Sequence, residues 1–231
     1  MPPGPDFKDH FSAQSTGYAR HRPHYPPELF AYLAGLGARK LAWDCATGNG
    51  QAAIALAAHF ERVVATDASR AQIDAAIAHP GVSYSVAPAE ESGLPSDSAD
   101  LVTVGQALHW FDTARFFAEA ARVLMAGGCV AAWCYELCTV SPDCDAVVER
   151  LYGRIVGPFW PPERRLVEER YAGIEFPGTA IAAPEFEMGA QWTVDDMLWY
   201  LRTWSACQHY QRQHGDDPVD LIEQDLRTAW G

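Results

Sequence analysis

The sequence has no cluster of lysine and arginine, and its 231 residues carry a formal net charge of −13. A nucleic-acid partner needs a basic face to neutralise phosphates, so the composition argues against one. An anionic small substrate stays open, because a local arginine can act inside an acidic protein. No run approaches the roughly 20 apolar residues of a membrane span. The opening MPPGPDFKDH lacks the apolar core of a signal peptide. A cytoplasmic protein with no membrane partner is expected. The six cysteines (Cys45, Cys129, Cys134, Cys138, Cys144 and Cys207) form no CxxC pair. They read as buried thiols. The alternative is a metal site from Cys134, Cys138 and Cys144 with a distant histidine, but zinc sites use tighter paired spacing, and no metal is expected. There is no internal repeat and no low-complexity tract.

What is present suits one α/β domain with a small appendage. The chain is 48% hydrophobic and 12% aromatic, enough for a sizeable core. Residues 41–50, LAWDCATGNG, are its centre. Leu41–Cys45 reads as a buried strand, Gly48 and Gly50 as a turn, and Gln51–His59 as a helix. Strand, glycine-bearing turn and helix together hold a nucleotide-like ligand over a helix N-terminus. Glycine belongs there because backbone must approach the ligand and take up φ > 0.

Upstream, Pro23, Pro26 and Pro27 enforce an extended turn before a helix over Glu28–Leu36 that ends at Gly37. A short helix over Ser12–Tyr18 is also expected. Tyr18, Arg20, Arg22, His24 and Tyr25 form either a solvated connector or a lid, with Arg22 meeting a carboxylate and Tyr18 or Tyr25 stacking on the ligand. Downstream, Arg62–Thr66 is a second strand ending on Asp67, followed by a helix over Ser69–His79 with Ser69 as its cap. VSYSVAPAEE supplies a third strand and SGLPSDS a loop. ADLVTVGQALHWFD supplies a fourth strand with Gln106, His109, Trp110 and Asp112 just past its end. Thr113–Leu124 is a helix stopped by MAGG, and CVAAWCYEL is a fifth strand. The alternation predicts a doubly wound, mostly parallel sheet. Asp44, Asp67, Glu90 and Gln106 gather at strand C-termini, where such sheets bind ligands. Asp143–Val156 reads as helix and APEFEMGAQWT as a sixth strand. Thr193 with Asp196 forms a capping box for a helix reaching His214, and Asp217–Pro218 caps a last helix. Three regions result: residues 1–37 as lid and first helix, 38–138 as ligand-binding core, and 139–231 as substrate-recognition segment, all in a single domain.

GNGQAA fits the GxGxxA dinucleotide fingerprint, which alone is a weak signal. Charge separates the options. Asp44 stands at the mouth of the turn, where it repels a pyrophosphate and attracts an ammonium or sulfonium. Asp67 can accept hydrogen bonds from ribose hydroxyls. A ribose joined to a cationic amino-acid moiety describes S-adenosylmethionine.

The chain resembles the class I S-adenosylmethionine-dependent methyltransferases, and within them the small-molecule group that includes trans-aconitate methyltransferases. DCATGNG matches the DxGxGxG motif, with Ala46 in place of the first glycine. VVATDAS matches the second motif, and APAEESGLPSDSADLVTVGQALHWFD the third and fourth as one block. FSAQSTGYARHRPHYPPELFAYLA and FWPPERR are also similar to this group, so the likeness covers roughly residues 7–220. The resemblance implies a Rossmann-like fold. It implies that Asp44, with the backbone at Ala46, Gly48 and Gly50, contacts the methionine part of the cofactor. Asp67 then binds the ribose, Ala68 lies along the adenine, and Ala89 and Glu90 sit at its edge. Gln106 and Ala107 line the pocket near the sulfonium, closed from above by Tyr18 and Arg22. Family members continue past the last helix into an antiparallel strand, whereas this chain ends at Trp230–Gly231, so a sheet lacking that strand is expected.

The function this implies is methyl transfer to a small acceptor, with a carboxylate as first choice. A carboxylate is already ionised at pH 7 and needs no base. An amine or phenol acceptor needs one, and His109 reads either as that base or as a packed histidine. Tyr25 and Trp110 are expected to face the substrate. Arg164 and Arg165 read either as solvated charges or as an anion clamp. Three other readings stay open: a nicotinamide oxidoreductase, disfavoured by Asp44; a cofactor-binding protein without turnover; and a methyltransferase of RNA or protein, disfavoured by the charge and by GQAL standing where an NPPY-like tetrapeptide is expected. Monomer and homodimer are both compatible with the sequence.

Overall fold

The computed structural model describes residues 23–231. The expected helix over Ser12–Tyr18 and the lid residues Tyr18 and Arg22 lie outside the described residues. Helix α1 (Pro27–Ala34) opens on Pro27, whose fixed φ and missing N–H suit a first helical turn. It ends at Gly35, two residues before the expected Gly37. Next come β1 (Leu41–Cys45), α2 (Gln51–Leu56), β2 (Arg62–Asp67), α3 (Arg70–Asp74), β3 (Val82–Val86) and β4 (Ala99–Gly105). After β4 follow a 3₁₀ turn at Leu108–Trp110, α4 (Thr113–Val123) and β5 (Leu124–Trp133). The strands form one sheet in the order β3-β2-β1-β4-β5, with every neighbouring pair parallel.

Side-chain alternation explains why both faces are covered. Leu41, Trp43 and Cys45 pack with Phe116, Ala120 and Val123 on one face. Ala42, Val63, Ala65 and Leu101 pack with α1 and α2 on the other. Trp43 is fully buried, and its indole N–H donates to Thr66 Oγ1 at 2.9 Å, so the one polar atom of a large core residue is satisfied.

Further expected boundaries shift. The helix expected over Gln51–His59 ends at Leu56. The helix after β2 is one turn long, because Ser69 caps it by accepting from Gln72 N but few apolar residues extend its buried face. MAGG belongs to β5: the chain pairs at Leu124, bulges through Met125–Gly128 with Gly127 at φ 84°, and resumes pairing at Cys129.

Past β5 the chain builds a helical layer. It contains α5 (Pro142–Glu149) with a π-helical continuation to Ile155, then α6 (Arg164–Glu168), α7 (Val194–Arg202), α8 (Ser205–His214) and α9 (Glu223–Trp230). The Thr193–Asp196 capping box forms in both directions. The helix expected to run on to His214 breaks at Thr203–Trp204, where Trp204 is extended. The layer has its own core of Val148, Leu151, Met197, Leu201, Val219 and Leu226. The expected sixth strand does not form. Residues 183–193 pair with no strand, and their half-buried apolar residues part company: Phe186 packs on the α1 side of the sheet and Trp192 on the helical layer. That stretch is pinned instead across α1, where Tyr32 Oη donates to Ala182 O at 3.0 Å and the Tyr32 ring meets Phe186. Among the described residues no helix is long and apolar enough to cross a membrane.

Candidate functional site

The sheet order reverses between β1 and β4, and the turn after β1 lies at that switch point. Asp44, the fourth residue of β1, is 1% exposed. It accepts from Thr47 Oγ1 at 2.5 Å and Thr103 Oγ1 at 2.8 Å. Burial pushes its carboxyl up to about pKa 6 against those hydrogen bonds, and the nearby Asp67 charge adds to the rise. Among the described residues no lysine or arginine pairs with it. A buried carboxylate without a protein counter-charge fits a ligand that brings its own cation.

The turn itself is left-handed at three positions: Ala46 (φ 55°), Gly48 (φ 58°) and Gly50 (φ 91°). Alanine therefore carries the strained conformation where a glycine is usual. A Cβ on Gly50 would stand 2.2 Å from the Tyr84 hydroxyl, so backbone and ring approach closely there. Gly48 N–H donates to Asp67 Oδ2 at 2.9 Å and Ser69 N–H to Oδ1 at 2.8 Å. These bonds fix the Asp67 carboxylate at the end of β2. A carboxylate offers about four lone-pair sites, which leaves capacity for ribose hydroxyls. Ala68 follows directly on the strand, and Ala89 is buried beyond β3. Glu90 Oε1 accepts from Asp112 N at 3.1 Å, tying the third-strand loop to the turn after β4.

Gln106 follows β4 directly, in a left-handed conformation (φ 56°). Its Oε1 accepts from Tyr135 N at 2.8 Å and its Nε2 donates to Tyr135 O at 3.3 Å. The amide thus clamps the backbone leaving β5, and Ala107 is buried beside it. A cleft of about 600 Å³, open mouth included, runs from Gln106, His109 and Trp110 to Trp160, Arg164 and Trp204 of the helical layer. His109 is 8% exposed. Burial and the Arg164 charge hold its pKa down to about 4, with Glu163 opposing, so the ring is neutral at pH 7.

The two candidate arginines separate. Arg164 stacks over Trp160 and Tyr152, and its Nε donates to Tyr152 Oη at 2.9 Å. Tyr152 in turn donates to Glu168. No carboxylate among the described residues pairs with Arg164, and it lines the cleft. Arg165 is turned to solvent and paired with Glu169 at 2.6 Å, away from His109 and Trp110. Tyr25 also stands apart from the cleft wall. It packs edge-on against Trp133, with its hydroxyl beside Gly105. The sequence reading missed Tyr135, Trp160, Tyr200 and Trp204, which come to the cleft from separate parts of the chain. Only FWPPERR hinted at any of them.

A parallel sheet in the order 3-2-1-4-5, with a left-handed glycine turn after β1 and a fixed acid after β2, defines a Rossmann-like cofactor-binding protein. Residues 43–132 match the methyltransferase domain family. A Dictyostelium discoideum protein provisionally named as a methyltransferase is 31% identical over 235 residues, spanning all of this chain and 89% of the relative. An uncharacterized methyltransferase of Mycobacterium tuberculosis is 38% identical over 119 residues, 51% of this chain and 49% of its own length. A solved structure from Anaeromyxobacter dehalogenans, provisionally described as a type II methyltransferase, is 47% identical, with a TM-score of 0.84 over 91% of this chain and 90% of that one. The chain belongs to the class I S-adenosylmethionine-dependent methyltransferases, and S-adenosyl-L-methionine is its cofactor.

Proposed function

We propose that the protein transfers a methyl group to a small acceptor bearing an ionised oxygen, a carboxylate first of all. The bound cofactor supplies an electrophilic methyl carbon on a sulfonium. The protein's share is to align the acceptor and exclude water. Arg164 carries this reading. Its guanidinium is oriented by two aromatic faces and by Tyr152, and it stands in the cleft without a protein carboxylate. A planar fork held in that way suits a carboxylate. Trp110, Trp160 and Trp204 provide apolar walls for the rest of the acceptor. On the cofactor side, Asp44 receives the cationic end, Ala46, Gly48 and Gly50 let backbone approach, and Asp67 takes the ribose. Ala68, Ala89 and Glu90 border the adenine, and Gln106 and Ala107 border the methyl-transfer point.

The test is a screen of small mono-, di- and tricarboxylates, scored by S-adenosylhomocysteine release and by the mass of the methyl ester. Arg164→Gln should raise the KM of a productive acid about 10- to 100-fold, the range of one charge-assisted hydrogen bond. An acceptor whose KM ignores Arg164, or a purely amine acceptor, would refute the proposal.

A further inference from the structure

Tyr171 lies just past α6, 62 residues from His109 in sequence. It is buried, and it holds a left-handed backbone (φ 60°) that a non-glycine residue adopts at a cost. Its hydroxyl stands 3.1 Å from His109 Nδ1. Either atom can be the donor in that contact, and the surroundings decide between them. The phenol O–H is a buried donor and needs an acceptor. Nδ1 is the acceptor it meets, and no other bond to that hydroxyl forms among the described residues.

We propose that Tyr171 is a positioning residue that holds His109 as the Nε2–H tautomer, so that the cleft receives a hydrogen-bond donor from this histidine and not a base. The opposite tautomer would leave the buried phenol proton without an acceptor. The charges facing the ring are Arg164, which opposes an imidazolium, and Glu163, which favours one; the balance keeps it neutral. Among the described residues nothing bonds Nε2. Together with Arg164 it makes a pair of donors on one cleft. Such a pair recognises the two oxygens of an acid or an oxyanion beside a carbonyl, and it offers nothing to deprotonate an amine or phenol. The substrate consequence rests on the function proposed above; the tautomer does not.

The experiment is nitrogen-15 NMR of the full chain labelled at histidine, with His109 assigned by its loss in His109→Gln. The expected pattern from pH 5.5 to 8 is an unprotonated Nδ1 and a protonated Nε2. In Tyr171→Phe, which keeps the ring packing, the two nitrogens should move toward an averaged tautomer mixture. The KM for a productive acid should rise about two- to tenfold, the range of one neutral hydrogen bond, with cofactor affinity unchanged. A protonated Nδ1 in the wild-type protein, or an unaltered pattern in Tyr171→Phe, would overturn the assignment. If the pattern holds while no acid is methylated, the acceptor reading fails and the tautomer assignment stands.

Discussion

Replacing Asp44 by asparagine should make the protein more stable and a poorer binder of its cofactor. The folded protein raises the Asp44 carboxyl from 3.8 to about 6. A shift of about two units corresponds to about 3 kcal/mol that the ionised form costs the fold. The sign follows from the direction of the shift. Well below pH 3.8 the group is protonated in both states and costs nothing. As pH rises to 6 the unfolded chain ionises first, and stability falls; above 6 the full cost is present. Asparagine carries no charge, and both threonine hydroxyls can still bond its amide. Asp44→Asn should therefore gain up to about 3 kcal/mol at pH 7.5, about 6–12 °C in Tm for a chain of this size, and only about 0.5 kcal/mol at pH 4. Urea unfolding of both proteins at pH 4, 6 and 7.5 reads this directly. The same carboxylate meets the cofactor's cation, so calorimetry should show a loss of about 10- to 100-fold in affinity for S-adenosylmethionine. Wild-type affinity should also decline below pH 6 as Asp44 takes up its proton. A variant no more stable than wild type at pH 7.5, or a stability difference independent of pH, would refute the reasoning.

Other outcomes follow from particular contacts. Gly50→Ala forces a Cβ onto the Tyr84 ring at φ 91°, and should cost about 2–4 kcal/mol in denaturant unfolding. Trp43→Phe removes the indole bonded to Thr66 and leaves a gap in the core, a loss of about 2–3 kcal/mol by the same measurement. Glu119 receives Ser92 and Arg122, which hold its carboxyl down to about pKa 2. Its contribution is present above pH 4.5 and lost as pH falls through 2. Glu119→Gln should therefore cost about 1–2 kcal/mol at pH 7, after allowance for screening of the half-exposed Arg122, and the cost should shrink in acid.

The sheet was legible because each of its central strands is an apolar run ended by an acid or a glycine. Leu41–Cys45, Arg62–Asp67 and Ala99–Gly105 appear in the structure within a residue or so of where their patterns stop. Ser69 and the Thr193–Asp196 box were legible for a local reason, since a cap is made by side chains within one helical turn. The absent sixth strand shows the limit of such patterns. APEFEMGA alternates well enough on paper, but Phe186 finds its cover on the Tyr32 ring of α1 and not beside another strand. The arginine pair shows another. One step along a helix turns a side chain by about 100°, so neighbours in sequence part company, Arg164 into the cleft and Arg165 into solvent. Tyr135 and Tyr171 reach the site through long-range packing that no local pattern encodes.

The helical layer closes around a core of its own, separate from the two that flank the sheet. Three of the aromatic walls of the cleft, Trp160, Tyr200 and Trp204, belong to that layer, whereas the glycine turn and Asp67 belong to the sheet. Selection can therefore repaint those walls without retuning the part that holds the methyl donor. Chains built on this plan can diverge in what they modify while conserving how they modify it.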